Sequence, residues 1–266
     1  MSPAASTAAG PSGAAARAAA GTEGSVADHA VDHEPVLEAH GVTLDFGPTP
    51  ALRGADLAVE RGEMLAVMGP SGSGKSTLLH CLAGILVPAS GEIRLDGTRV
   101  DTLPEAARSA LRRDRFGFVF QLGQLVPELT AEENVALPLL LRGTRRSPAL
   151  ATAREWFERL DLPGLQGRRS GELSGGQAQR VAIARAMVTA PDVLFADEPT
   201  GALDSLTGER VMDLLAGVAH DHGTTVVLVT HEARVAAYAD RMVLVRDGRV
   251  TSPGEPAAPA TARAAG

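Results

Sequence analysis

The fold of this chain is predicted from one stretch, MLAVMGPSGSGKSTLL at residues 64–79. It joins an apolar run of strand length to a glycine-rich loop and then to residues suited to a helix. Lys75, at the end of the loop, is the only lysine among the 25 lysine and arginine residues. An arginine-rich chain that keeps one lysine here indicates a site that needs a compact ammonium group, as a phosphate site does.

The loop has the pattern GxxxxGKS. Its amides, the N-terminus of the next helix and Lys75 are suited to bind the β- and γ-phosphates of a nucleotide, with the Ser76 hydroxyl as a Mg²⁺ ligand. The predicted nucleotide-binding residues here are Gly69, Pro70, Ser71, Gly72, Ser73, Gly74, Lys75, Ser76 and Thr77. Taken alone the pattern is moderately specific, and a glycine-rich turn without a ligand is the alternative.

Composition narrows the class of protein. The formal net charge of −7 argues against nonspecific nucleic-acid binding, and we expect no nucleic-acid partner. A single cysteine, Cys81, excludes a disulfide framework, and its place in the predicted helix favours a packing role over a reactive thiol. No apolar run approaches the roughly 20 residues of a membrane helix, and the N-terminus lacks signal-peptide features. We therefore expect a soluble cytoplasmic protein.

The chain divides into three parts. Residues 1–33 are mostly Ala, Gly, Ser and Pro and are predicted to be a disordered leader, and residues 252–266 a disordered tail. Between them, residues 34–251 alternate strand and helix patterns, which predicts an α/β domain with a mostly parallel sheet. A small sheet is expected before the phosphate loop. The segment of about residues 122–173 reads as helical and carries capping-box spacing at Thr130 and Glu133.

Two further motifs follow the helical segment. The pentapeptide LSGGQ, residues 173–177, opens a helix whose exposed amides form a second potential phosphate site. That helix has alanines and aliphatic residues on one side, and Gln177, Gln179, Arg180 and Arg185 are among the other positions. The stretch DVLFADEP, residues 192–199, is an apolar strand that ends in two adjacent carboxylates, Asp197 and Glu198.

These motifs, with Gln121 after an aromatic strand, GALD at 201–204 and TH at 230–231, occur in the order seen in ATP-binding cassette (ABC) ATPases. The chain resembles that family over about residues 36–250. The resemblance implies a RecA-like P-loop NTPase core with a mostly parallel sheet, an antiparallel β subdomain and an inserted helical subdomain. It also implies ATP and Mg²⁺ as cofactors.

The resemblance assigns roles by position. Ser76, Gln121 and Asp197 would hold Mg²⁺, Glu198 would act as the general base, and His231 would contact the γ-phosphate. Phe46 lies where the family has an aromatic residue that stacks on adenine. The alternatives are a helix-capping carboxylate for Glu198, a buried core histidine for His231 and a core role for Phe46.

The family's site is shared between two chains. Ser174, Gly175, Gly176 and Gln177 would face the γ-phosphate bound by the opposite subunit, with Asp204 near the crossing point. One cassette per chain then implies a dimer between chains, with a homodimer expected.

The stretches VFQLGQLVPELTAEENVALPLLLRG and DEPTGALDSLTGERV resemble the lipoprotein-release, macrolide-export and cell-division branch, whose permeases are FtsX-like. Residues 122–129 depart from that branch, which has phenylalanine and asparagine after the glutamine. The resemblance implies an exporter subunit for a lipid, peptide or drug, held on the inner membrane face by a separate permease and without direct substrate contact. The alternatives are a mechanical or signalling ATPase acting on a cell-envelope partner and, more distantly, a soluble translation-factor ATPase.

Overall fold

The structure is a computed structural model, and it describes residues 35–121 and 123–252. The predicted leader at residues 1–33 and the predicted tail, apart from Ser252, lie outside the described residues. Leu122, in the segment that departs from the branch pattern, also lies outside them.

Strands and helices alternate along the described residues. The strands are β1 (Pro35–Phe46), β2 (Thr49–Glu60), β3 (Met64–Met68), β4 (Ser90–Leu95), β5 (Thr98–Arg99), β6 (Phe116–Phe120), β7 (Val193–Asp197), β8 (Thr225–Val229), β9 (Arg241–Arg246) and β10 (Arg249–Thr251). The helices are α1 (Lys75–Leu82), α2 (Glu105–Arg115), α3 (Ala131–Leu141), α4 (Arg146–Arg159), α5 (Gly175–Met187), α6 (Ser205–His222) and α7 (Ala233–Ala236), with a 3-10 turn at Ser170–Glu172. Among these described helices, none has the length and apolar character needed to cross a membrane.

The larger sheet has six strands in the order β10-β9-β3-β8-β7-β6, and only β10 is antiparallel to its neighbour. Alternate residues of its central strands belong to two separate hydrophobic cores, with Leu194 and Leu228 in one and Phe195 and Val227 in the other. A parallel sheet buried on both faces needs continuous apolar strands, which is the pattern of β7 and β8. The predicted α/β fold with a mostly parallel sheet is confirmed.

The smaller sheet is antiparallel, with the order β2-β1-β4-β5. Strands β1 and β2 form a long hairpin whose turn lies between Phe46 and Thr49. Inward side chains of the sheet, including Leu37, Leu52 and Ile93, pack into the core cluster that also contains Leu78 of α1. The small sheet is thereby fixed beside the helix that follows the phosphate loop.

Helices α3 and α4 form most of the predicted helical insertion. The capping box is present at the start of α3: Thr130 Oγ1 accepts from the Glu133 amide at 3.2 Å, and Glu133 Oε2 accepts from the Thr130 amide at 3.0 Å. On α4, Trp156 and Phe157 are 4% and 0% exposed and belong to the core cluster that includes α5. Both side chains are therefore core residues.

Phe157→Ala is expected to lower the free energy of unfolding by about 3–5 kcal/mol, because it empties a site that the surrounding helices cannot fill. Chemical denaturation followed by circular dichroism measures this change. The matched control is Leu141→Ala, since Leu141 is 63% exposed and surface changes stay within about 0.5 kcal/mol. Equal losses for the two variants would contradict the packing described.

The register of the large sheet brings the motif-bearing residues to one edge. Phe120 of β6 is level with Asp197 of β7, and Asp197 is level with Val229 of β8. Gln121, Glu198 and Thr230 therefore follow three adjacent strands at the same carboxyl-terminal edge. In parallel α/β sheets this edge is where ligands bind.

Candidate functional site

The phosphate loop runs from the end of β3 to the start of α1. Gly69 has φ +150°, and a Cβ there would lie 2.2 Å from the Val245 carbonyl oxygen. Gly74 has φ +108°, and its Cβ would lie 2.5 Å from the Ala51 carbonyl oxygen. Both positions therefore require glycine. Of the other predicted loop residues, Pro70, Ser71, Gly72 and Ser76 are exposed, Thr77 is half-buried and Ser73 is buried.

Lys75 crosses beneath its own loop. Its Nζ donates to the carbonyl oxygens of Gly69 and Pro70, at 2.9 Å each, and the residue is 7% exposed. The hydrogen bonds of Lys75 in the described part of the chain go to neutral carbonyls and not to a carboxylate. An ammonium group without a carboxylate partner is suited to pair with an anionic ligand, which fits a phosphate group.

Ser76 and Asp197 meet across the site. The Ser76 hydroxyl donates to Asp197 Oδ1 at 3.2 Å, although the two residues are 121 positions apart in sequence. A hydroxyl and a carboxylate side by side are hard oxygen donors of the kind Mg²⁺ takes, together with waters and substrate phosphates. The donor set therefore fits the predicted Mg²⁺ site.

Glu198 and His231 form a pair at the ends of β7 and β8. His231 Nδ1 donates to Glu198 Oε1 at 2.7 Å. Glu198 has φ +49°, a conformation uncommon for a residue with a side chain. The hydrogen bond and charge of Glu198 raise the pKa of His231 above its ordinary value, because both favour the imidazolium. The His231 side chain is 59% exposed, which excludes the core alternative.

The raised pKa of His231 gives a pH prediction. The stabilisation from charged His231 beside Glu198 is present around and below the ordinary histidine pKa of about 6.5. It is lost as pH rises through the higher folded-state pKa of His231, because the imidazolium then loses its proton. Titration by NMR of the histidine ring protons, with His231→Gln to assign the signal, should show the raised value in the wild type. In Glu198→Gln the pKa of His231 should return toward the ordinary value. A His231 titration midpoint that stays where it is in the wild type would contradict the pairing with Glu198.

Gln121 follows β6 and lies over the loop after Glu198. A Cβ at Gly201 would lie 2.8 Å from Gln121 Nε2, so the amide of Gln121 rests directly on that glycine. The predicted set thus lies at one edge of the sheet, at the start of α1, at the end of β7 and on the adjoining loops: Lys75, Ser76, Gln121, Asp197, Glu198 and His231.

The LSGGQ residues open α5. Ser174 Oγ accepts from the Gln177 amide at 3.3 Å, and Gln177 Oε1 accepts from the Ser174 amide at 2.9 Å, which forms a capping box. Gly176 is packed so closely on α6 that a Cβ would lie 2.5 Å from Thr207 Cγ2. A Cβ at Gly175 would meet Leu203 at 3.1 Å. Within the described residues, these contacts of Gly175 and Gly176 lead to α6 and the turn before it, not to the phosphate loop.

Asp204 caps α6 and Phe46 ends β1. Asp204 Oδ1 accepts from the Thr207 amide at 3.0 Å, and this hydrogen bonding lowers the pKa of Asp204. Since Asp204 is the N-cap of α6, Glu198 is not, and the capping alternative for Glu198 is wrong.

Phe46 is 55% exposed, which excludes the core alternative for that ring. Its open face is available for stacking.

Two residues of α5 hold the backbone on either side of Gln121, a role that the sequence did not predict. Gln179, expected among the polar positions, is 1% exposed and donates through Nε2 to the Phe120 carbonyl at 3.0 Å. Arg185 donates to the Gly123 and Gln124 carbonyls. The sequence signal was two glutamines and two arginines in a helix whose other residues are small or aliphatic, and it does not single out Gln179 and Arg185. Cys81 is buried, and burial raises the pKa of its thiol to about 12. Because the thiolate is the reactive form, this shift fits a packing role better than a reactive one.

The class that this fold and site define is the P-loop nucleotide triphosphatases. Residues 52–201 match the sequence profile of the ABC transporter family, and the chain belongs to that family. It is 46% identical over 223 residues to the lipoprotein-releasing system ATP-binding protein LolD of Bordetella pertussis, covering 82% of this chain and 96% of that one. It is 46% identical over 230 residues to the macrolide export ATP-binding/permease protein MacB 1/2 of Paracoccus denitrificans, covering 85% of this chain and 34% of that protein.

A solved structure is similar over the same region. The ATP-binding cassette MJ0796, in a dimeric post-hydrolysis state bound to ADP and Pi, is 38% identical with a TM-score of 0.73. The match covers 81% of this chain and 98% of that one. The ABC ATPase fold is thus confirmed, and the chain is the ATP-binding subunit of an ABC transporter. It is an ATPase that uses ATP and Mg²⁺.

Proposed function

We propose that this chain drives a separate FtsX-like permease that exports a lipid, peptide or drug. The proposal rests mainly on an open groove of about 500 Å³ between β6 and α3. Phe118, Phe120, Pro138 and Leu141 line its apolar part. An exposed apolar groove next to the Gln121 loop is suited to receive a helix from a partner protein.

The relatives support the branch of this proposal. Those proteins are named for lipoprotein release and macrolide export, and one carries ATP-binding and permease parts in a single chain. In the proposed complex the permease supplies the path through the membrane and contacts the transported molecule. This chain lies on the cytoplasmic face of the membrane and contacts neither the substrate nor nucleic acid.

ATP hydrolysis follows from the roles proposed for the site residues. The loop amides and Lys75 neutralise charge on the phosphates, and Ser76, Asp197 and Gln121 hold Mg²⁺. When bound, Mg²⁺ neutralises charge on the phosphate oxygens. Glu198 accepts a proton from the attacking water, and the hydrogen bond from His231 fixes its orientation. Phe46 stacks on the adenine.

We propose that a second copy of the chain completes the site. Gly176 is packed on Thr207 of its own α6, and the N-terminus of α5, where the Ser174 cap bonds the Gln177 amide, is suited to a phosphate held by another molecule. Ser174, Gly175, Gly176 and Gln177 of one chain would then face the nucleotide on Lys75 of the other. Asp204, exposed beside α6, would lie near the contact between the chains.

Copurification from membranes of the native host tests the permease assignment. The wild-type chain is expected to retain an FtsX-like membrane protein that changes its ATPase rate in lipid nanodiscs. Leu141→Asp is expected to lose that protein, because it places a charge in the groove. Val87→Asp, at a residue 45% exposed and outside the groove lining, should retain it. Retention by both variants would contradict the groove, and a partner that changes hydrolysis without transport would favour a mechanical or signalling ATPase.

A further inference from the structure

The backbone after Gln121 is attached to α5 by one side chain. Arg185 Nη2 donates to the Gly123 carbonyl at 2.7 Å, and Nη1 donates to the Gln124 carbonyl at 2.8 Å. Gly123 and Gln124 have φ +68° and +44°, which is a costly conformation for glutamine. The planar guanidinium therefore bridges two consecutive carbonyls of a strained turn.

The backbone before Gln121 is attached to the same helix. Buried Gln179 donates through Nε2 to the Phe120 carbonyl at 3.0 Å, and the Gly123 amide donates to that same carbonyl at 3.0 Å. The turn also lies close to α5, since a Cβ at Gly123 would be 3.1 Å from the Ala178 carbonyl oxygen. Both sides of Gln121 are thus fixed relative to α5.

The burial of the Arg185 guanidinium is energetically unfavourable. Burial lowers the pKa of its guanidinium, and no acidic group of the described residues contributes to that shift. A desolvated charge without a counter-charge is unfavourable, so hydrogen bonds to carbonyls have to stabilise it. Arg185, Gln124 and Phe120 also line the groove. The groove and the Gln121 turn therefore share this side chain.

We infer that Arg185 is a positioning residue for Gln121 and connects occupancy of the groove to the nucleotide site. The inference rests on the proposed function, in which a permease helix occupies the groove. A helix seated there contacts Arg185 and Gln124 and sets the position of the two carbonyls. Gln121, one end of the same turn, then moves relative to Gly201, on which its amide rests.

Arg180 supplies a matched control for Arg185. It lies on the same helix and donates through Nη1 to two consecutive carbonyls, Leu160 at 3.2 Å and Asp161 at 3.0 Å, away from Gln121. Arg185→Gln is expected to lower kcat of the isolated chain by roughly 10- to 100-fold, the effect of a small misplacement in a catalytic site. The KM for ATP should change little, because the phosphate loop is untouched. Arg180→Gln should keep kcat, and equal losses in both variants would overturn the inference.

A double-mutant cycle with Gln121→Ala separates positioning from general damage. If Arg185 acts through Gln121, adding Arg185→Gln to Gln121→Ala lowers kcat no further. Multiplied losses would overturn the inference. Melting temperatures of all variants are compared, and Arg185→Lys, which reaches one carbonyl at a time, should restore part of kcat.

Measurements with the permease complete the test. Where the permease changes the wild-type ATPase rate, Arg185→Gln should remove that change and Arg180→Gln should keep it. A full response in Arg185→Gln would overturn the connection to the groove. A wild-type chain that no permease affects would contradict the proposed function instead, while the cycle on the isolated chain still decides whether Arg185 positions Gln121.

Discussion

Glu198→Gln is expected to lower kcat for ATP hydrolysis by about 10²- to 10⁴-fold, the usual contribution of a general base. The amide has the shape of the carboxylate but cannot accept a proton from water. Glu198 follows β7 directly and receives a hydrogen bond from His231 at 2.7 Å, so the substitution changes basicity more than position. ATP affinity should change little, since the contacts of Lys75 and the loop amides are retained.

Steady-state phosphate release, with separate measurement of ATP binding, tests this prediction. Glu209→Gln is the control, because Glu209 is an exposed carboxylate whose nearest cation, Arg234, lies 3.9 Å away. It should retain wild-type kcat. A Glu198→Gln chain with more than a tenth of wild-type turnover would remove Glu198 from the role of base.

Lys75→Ala is expected to weaken ATP binding by about 30- to 4,000-fold. Truncating one member of a buried charged pair costs about 2–5 kcal/mol, and each 1.4 kcal/mol is about tenfold in affinity. Lys75 is the only lysine of the chain, is 7% exposed and lies beneath the loop. Isothermal titration with ATP and Mg²⁺ measures the loss.

Lys75→Arg separates charge from shape. The site holds a compact ammonium between two carbonyl oxygens at 2.9 Å, and a planar guanidinium does not fit this geometry. The charge-conserving variant should therefore bind ATP nearly as poorly as Lys75→Ala. Wild-type affinity in Lys75→Arg would mean that any cation suffices here. Melting temperatures near that of the wild type would exclude unfolding as the cause in either variant.

Much of the fold was predictable because its signals are local. The apolar runs before the phosphate loop, before Gln121 and before Asp197 correspond to β3, β6 and β7. Helix α6 spans Ser205–His222 because Asp204 caps its start and Gly223 ends it with φ +61°. Both cap signals are present in the sequence.

The remaining features depend on contacts between distant segments. The Glu198–His231 pair forms because β7 and β8 are neighbours in the sheet. Gln179 has a polar side chain, yet it is buried because its partner is the carbonyl of a strand 59 positions earlier. Local periodicity contains no information on either contact, so the sequence predicted neither the pair nor the burial of Gln179.

The most direct test of a site shared between two chains is the mass of Glu198→Gln measured by light scattering at saturating ATP and Mg²⁺. Slow turnover should hold the nucleotide in place, and we expect twice the mass of one chain. Adding Ser174→Arg, which places a bulky side chain at the start of α5, should return the mass to that of one chain. A Glu198→Gln chain that stays monomeric at every ATP concentration would contradict the shared site.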